Sequence, residues 1–151
     1  MNADGTITDT NTRLVWEKQS ADGTIHDQDN AYDWPEAAAV HIAGLNTAPC
    51  FANHCDWRLP NVRELQSIVN YQNSALPVSP AFNTGCLSGA TVFTGSCTAG
   101  GGLWTSTSVA DPELKRSDAS VWTVEFAAYG GSVYRHSSDR SGYVRAVRGG
   151  L

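Results

Sequence analysis

The sequence predicts an α+β domain, on three observations. Two capped helical segments lie in the first half, alternating strands fill the last third, and a glycine-rich stretch bracketed by cysteines separates them. The 151 residues suit one domain spanning 1–151, large enough to bury roughly 70% of its unfolded surface. No apolar run approaches the ~20 residues of a membrane span, so no membrane insertion is expected. Residues Met1–Asp4 show neither a basic nor an apolar leader segment; a signal peptide of an exported protein would lie outside this sequence.

Each element has a local cause. Ala3-Asp4-Gly5-Thr6-Ile7 recurs as Ala21-Asp22-Gly23-Thr24-Ile25, and in both copies Asp-Gly reads as a turn feeding a β-branched pair. Between them Leu14–Lys18 reads as a strand. A first helix is expected from Trp34 to about Leu45, with Asp33 as N-cap, Pro35 in the first turn and Glu36 three residues after the cap. Trp34, Ala38, His41, Ile42 and Leu45 would share its buried stripe. A second helix starts after Pro60, capped by Asn61 with Glu64 completing a capping box, and buries Leu65, Ile68 and Val69. From Asn70 to about residue 102 the periodicity is lost, and prolines and glycines predict a long loop. Strands follow at Leu103–Thr107, Val121–Ala127 with Trp122, Val124 and Phe126 inward, Ser132–His136 and Tyr143–Arg148. Gly130-Gly131 is the hairpin turn between the middle two.

Four cysteines allow three connectivities. The sequential pairing, Cys50–Cys55 with Cys86–Cys97, is expected because each pair staples a loop lacking regular structure. A zinc site is the rival, poorly served by the ten- and thirty-residue gaps. Disulfides imply an oxidising compartment, hence a secreted, periplasmic or cell-surface protein.

The net charge of −5 is unevenly spread. Residues 1–36 carry eight acids against Arg13 and Lys18, while residues 127–151 carry Arg135, Arg140, Arg145 and Arg148 against Asp139 alone. Two readings follow: an anion-binding face, or two ends lying side by side and neutralising each other. The net charge disfavours nucleic acid as a partner.

Several motifs occur in a telling order: Thr8-Asp9-Thr10-Asn11-Thr12 before Leu14-Val15-Trp16, the Trp34 helix, then Cys55-Asp56-Trp57-Arg58-Leu59-Pro60-Asn61-Val62-Arg63-Glu64-Leu65. Leu103-Trp104-Thr105-Ser106-Thr107, Trp122-Thr123-Val124-Glu125-Phe126 and Tyr143-Val144-Arg145-Ala146-Val147-Arg148-Gly149-Gly150 complete it. This order resembles the C-terminal domain family of the collagen-like adhesin Lcl, across essentially the whole chain. Arg-Leu-Pro before a helix and the closing Val-Arg-Ala-Val-Arg-Gly-Gly are also similar to the formylglycine-generating-enzyme branch of the C-type-lectin-like fold. That resemblance implies two helices flanking a small twisted antiparallel sheet, termini close together, and a long loop region inserted between. The fold carries no function by itself. The Glu-Pro-Asn, Gln-Pro-Asp and Trp-Asn-Asp motifs of calcium-dependent lectins are absent, and no cysteine follows Cys97 to form the late copper pair of the oxidases.

Trp16, Trp34, Trp57, Trp104 and Trp122 read as core, with Trp57 a wedge for the second helix and Arg58 paired with a buried acid or carbonyl. Asp27, Asp29 and Asn30 are hard oxygen donors suited to calcium, against the reading of an acidic turn before the helix. His41 and His54 show no zinc-ligand spacing with His26. No nucleophile elbow, Cys-x-x-Cys or phosphate-binding loop appears, and Glu125 lacks the second carboxylate of a glycosidase. No enzymatic activity and no cofactor other than calcium are expected. Tyr129, Tyr134, Arg135, His136, Asp139, Arg140 and Tyr143 mix aromatic faces with charged donors, as recognition surfaces do. The leading expectation is an adhesin-like domain binding surface glycans, sulfated glycosaminoglycans among them, as the resemblance implies. The alternatives are a protein-recognition domain, including a retroelement-diversified one, and an assembly cap, trimeric for instance, in which loop 71–102 meets neighbours.

Overall fold

The computed structural model describes residues 1–110, 120–127 and 130–150. It is a mixed fold dominated by sheet. A three-stranded antiparallel sheet joins β1 (Thr6–Thr8), β2 (Leu14–Glu17) and β8 (Val147–Gly149) in the order β1-β2-β8. A five-stranded sheet holds β3 (Ala31–Tyr32), β4 (Gly102–Ser108), β5 (Ser120–Glu125), β6 (Val133–Ser137) and β7 (Gly142–Tyr143) in the order β3-β7-β4-β5-β6. The expected sheet is therefore divided in two, and it is not wholly antiparallel, since β4 and β7 run parallel.

The first helix occupies residues 34–45. It is α-helical over Trp34–Glu36, π-helical over Ala37–Ile42 and α-helical again over Ala43–Leu45. Its start is the expected capping box: Asp33 Oδ1 accepts from the Glu36 N–H at 2.8 Å and Glu36 Oε2 from the Asp33 N–H at 3.4 Å. The wider π turn shifts the stripe. Ala37, His41 and Leu45 are buried, four residues apart, whereas Ala38 is exposed. The second helix, Val62–Gln66, begins on the Asn61–Glu64 box, with bonds of 2.9 and 2.7 Å. It stops before Ile68 and Val69 because the chain turns there to bridge Val69 to Val78.

The main core gathers Trp16, Leu65, Phe82, Leu103, Val124 and Phe126 between the two sheets and the second helix. A second cluster packs Ala37, Leu59, Trp104 and Val121 under the first helix. Trp16, Trp57 and Trp104 are buried; Trp34 and Trp122 are half-buried. Trp57 wedges the end of the first helix rather than the second: it packs with Leu45, and the Asn46 amide brackets its backbone at 2.8 and 2.9 Å. Both disulfides form as expected, Cys50–Cys55 and Cys86–Cys97. At the β5–β6 hairpin Gly131 has φ +81°, and a Cβ there would overlap Val69 and Tyr71.

The single closing strand expected over Tyr143–Arg148 is broken into β7 and β8. Val144, Arg145 and Ala146 between them are all buried, which the two-residue alternation of a one-sided strand cannot provide. Arg145 turns inward because main-chain carbonyls of β2 and of the cystine loop wait for it there.

Candidate functional site

A buried polar constellation centres on Glu17. Its carboxylate is fully buried, and Oε1 meets His26 Nδ1 at 2.7 Å while Oε2 meets His41 Nε2 at 2.9 Å. Oε2 also accepts the Ala146 N–H at 2.9 Å. Burial alone would raise this carboxyl. The charge of His41 and the hydrogen bonds of both imidazoles outweigh it and hold the group well below the usual carboxylate range. Arg145 lies alongside, its Nη1 on Glu17 O at 3.0 Å and its Nη2 on Gln19 Oε1 and Thr98 Oγ1 at 2.8 Å and on Cys97 O. Burial lowers its guanidinium to about 10, against the pull of Glu17, so it stays charged at neutral pH. The hub ties β2, the His26 loop, the first helix and the closing segment together. Its two imidazoles sit on different carboxylate oxygens, and among the described residues no His, Cys, Asp and Glu group converges to hold a metal ion.

Sequence spacing missed this hub, because residues 17, 26, 41 and 145 share no local pattern. The one signal was a carboxylate set in a buried strand beside Trp16.

The recognition candidates divide. Tyr134, Arg135 and His136 lie on β6, at one edge of the five-stranded sheet. Tyr134 is 47% exposed and Arg135 is exposed, while His136 sets its ring edge-on to Trp104 at 6.0 Å. Pairing places Tyr134 opposite Thr123, His136 opposite Val121 and Arg135 opposite Trp122. Tyr134 and His136 therefore share one face, and Arg135 takes the other. Asp139 and Arg140 follow in the turn after β6, both exposed, with Ser137 Oγ donating to Asp139 and the Arg140 N–H to Ser137 O at 3.2 Å. Tyr143 is not with them. It is half-buried on β7, against the main core, with two strands lying between β7 and β6. Tyr129 lies outside the described residues.

Residues 5–148 match the family model for the Lcl C-terminal domain. The chain belongs to the Lcl C-terminal domain family. No curated protein matches it.

In this Lcl C-terminal domain the motif arginines serve the fold. Arg58 pairs with Glu64 at 2.7 and 2.8 Å and donates to Gly149 O at 3.0 Å, joining the second helix to β8. Arg148 Nε bonds Asp56 at 2.7 Å, and that bond holds the Asp56 carboxyl below its ordinary value. Arg145 beside Glu17 is a neutralising contact of the kind anticipated from the charge asymmetry, whereas Arg148 pairs with Asp56, outside the acidic N-terminal segment. The calcium candidates sit in a tight turn. Asp27 accepts the Gly23 N–H at 2.6 Å and the Asp29 N–H at 2.9 Å, and Asn30 Nδ2 donates to Thr24 O at 2.7 Å, so Asp29 is the exposed oxygen donor.

Proposed function

We propose that this member of the family is an exported, non-enzymatic binding domain of C-type-lectin-like fold that recognises surface glycans at the β6 rim. One observation carries the reading: an exposed tyrosine on a sheet strand, beside His136 and followed by the exposed Arg140, on a protein that is otherwise acidic. A strand holds such a ring with little entropy left to lose, and an aromatic face with nearby cations suits a sugar ring bearing an anionic substituent. Tyr134 would lie against the ring and His136 and Arg140 would meet sulfate groups. Arg135, on the opposite face of the edge strand, would reach only a ligand that wraps over it. Two disulfides support export.

A glycan array at low and physiological salt, with and without calcium, tests it. Sulfated glycans bound in a salt-sensitive way support the rim. Calcium-dependent binding of neutral sugars would move the site to Asp27, Asp29 and Asn30. A protein partner or an assembly role is the second reading, favoured by Tyr71 and Leu87, which expose large apolar side chains on the long loop region. A blank array together with a multimer in light scattering would select it.

A further inference from the structure

A cavity of about 310 Å³ opens between the β1–β2 hairpin, the end of the second helix and the turn at residues 79–82. The hairpin gives it the run Thr8-Asp9-Thr10-Asn11, whose Thr8, Thr10 and Asn11 are exposed. Main-chain bonds fix the walls. The Asp9 N–H donates to Leu14 O and the Arg13 N–H to Asp9 O, both at 2.9 Å. The Ser79 N–H reaches Ile68 O at 2.9 Å, and the Thr98 hydroxyl donates to Phe82 O at 2.7 Å. A rim held in this way has little freedom left to lose on binding.

The floor is apolar, made by the buried Ile7, Ile68 and Phe82. The rim is polar, and part of it is unspent. Asp9 accepts the Thr12 hydroxyl at 2.7 Å on one oxygen and the Asn11 N–H at 2.9 Å on the other. These bonds, Thr12 foremost, hold its carboxyl below the ordinary value. Each carboxylate oxygen keeps a second lone pair for another donor. The Thr10 and Ser79 hydroxyls and the Asn11 side-chain amide have no hydrogen-bond partner among the described residues. The Ser67 hydroxyl donates to Glu64 O at 2.6 Å, and the Thr8 hydroxyl accepts from Asn2 at 2.8 Å. No lysine, arginine or histidine lines the cavity.

We propose that this cavity is a subsite for one neutral hexopyranose unit of a glycan. Hydroxyls and an amide around an apolar floor call for a ligand with several donors and acceptors and one apolar face. A pyranose ring has both. Its hydroxyls donate to Asp9 and meet Thr10, Ser79 and Asn11, while a C–H face lies on the floor. The volume is at the low end of the ~300–1,000 Å³ of small-molecule sites, which suits a single ring. A sulfate or carboxylate substituent would face the Asp9 carboxylate with no lining cation to offset it, so charged sugars are disfavoured. The charge rule is the reverse of the one proposed at β6. None of the lining residues lies on β6, and the site stands whether or not the rim binds glycans.

The test is an amide-shift titration of the isotopically labelled domain, without calcium, using three neutral methyl glycosides: the β-glucopyranoside, the β-galactopyranoside and the α-mannopyranoside. Sodium glucuronate and ethylammonium chloride are the charged comparators. At least one neutral glycoside should give saturable shifts at Thr10, Asn11, Ser67, Ile68 and Ala81, with glucuronate binding at least about tenfold more weakly. Asp9→Asn keeps an acceptor for the Asn11 N–H but removes the charge, and should weaken binding about tenfold. Should that variant fail to fold, Thr10→Ala combined with Ser79→Ala decides, because neither hydroxyl serves the fold; a loss of about tenfold is expected there too. No saturable shift with any of the three glycosides, an equal response to glucuronate or ethylammonium, or unchanged binding in the folded variants would overturn the proposal.

Discussion

The Glu17 hub and the β6 rim are made from the same kinds of side chain, histidine, arginine and a carboxylate, put to opposite uses. In the hub both carboxylate oxygens are engaged and the nearest solvent access is through His26, whose side chain is 16% exposed. At the rim Tyr134, Asp139 and Arg140 stand out from the surface. Residue type alone does not separate a structural clamp from a recognition surface. Accounting for each donor and acceptor does. In the hub the carboxylate is fully engaged, and the His41 Nδ1 and Arg145 Nε left without partners are sealed from solvent. At the rim the groups project, where a ligand can complete them.

The sharpest way to break this comparison is to remove the hub's carboxylate. Glu17→Ala leaves two imidazoles and the Ala146 N–H without their buried acceptor and Arg145 without a nearby counter-charge, and should cost about 3–5 kcal/mol in urea unfolding. A loss no larger than that of a surface substitution would show the hub to be dispensable. Next comes pH. The folded Glu17 carboxyl lies below its ordinary value of 4.5. Its stabilisation is therefore complete above that value and is lost as pH falls through the depressed folded value. Unfolding free energy measured from pH 6 downward should drop more steeply in the wild type than in Glu17→Ala; parallel curves would contradict the linkage. Arg58→Ala, which breaks a partly exposed ion pair, should cost about 1 kcal/mol by the same assay. At the rim, Tyr134→Ala should change stability by no more than about 0.5 kcal/mol.

Local chemistry was readable in the sequence. Asp33 with Glu36, and Asn61 with Glu64, announced both helix starts, and the cysteine spacing announced both cystines. What depended on distant partners was not readable. Arg145 finds its acceptors at Glu17, Gln19, Cys97 and Thr98, and no periodicity encodes such contacts. The closing motif therefore read as one strand, although its middle belongs to the core. Tyr143 looked contiguous with Tyr134 along the chain, but the strand order inserts β4 and β5 between β7 and β6. The π turn that brings His41 onto Glu17 also left no mark in the apolar pattern of residues 34–45.

The measurement that tests the central claim most directly is sulfated-glycan binding by wild type, Tyr134→Ala and Arg140→Ala, with each protein's melting temperature recorded alongside. The account predicts salt-sensitive binding that falls about tenfold or more in each variant while the melting temperature holds. Undiminished binding in both variants, or none in the folded wild type, would contradict it.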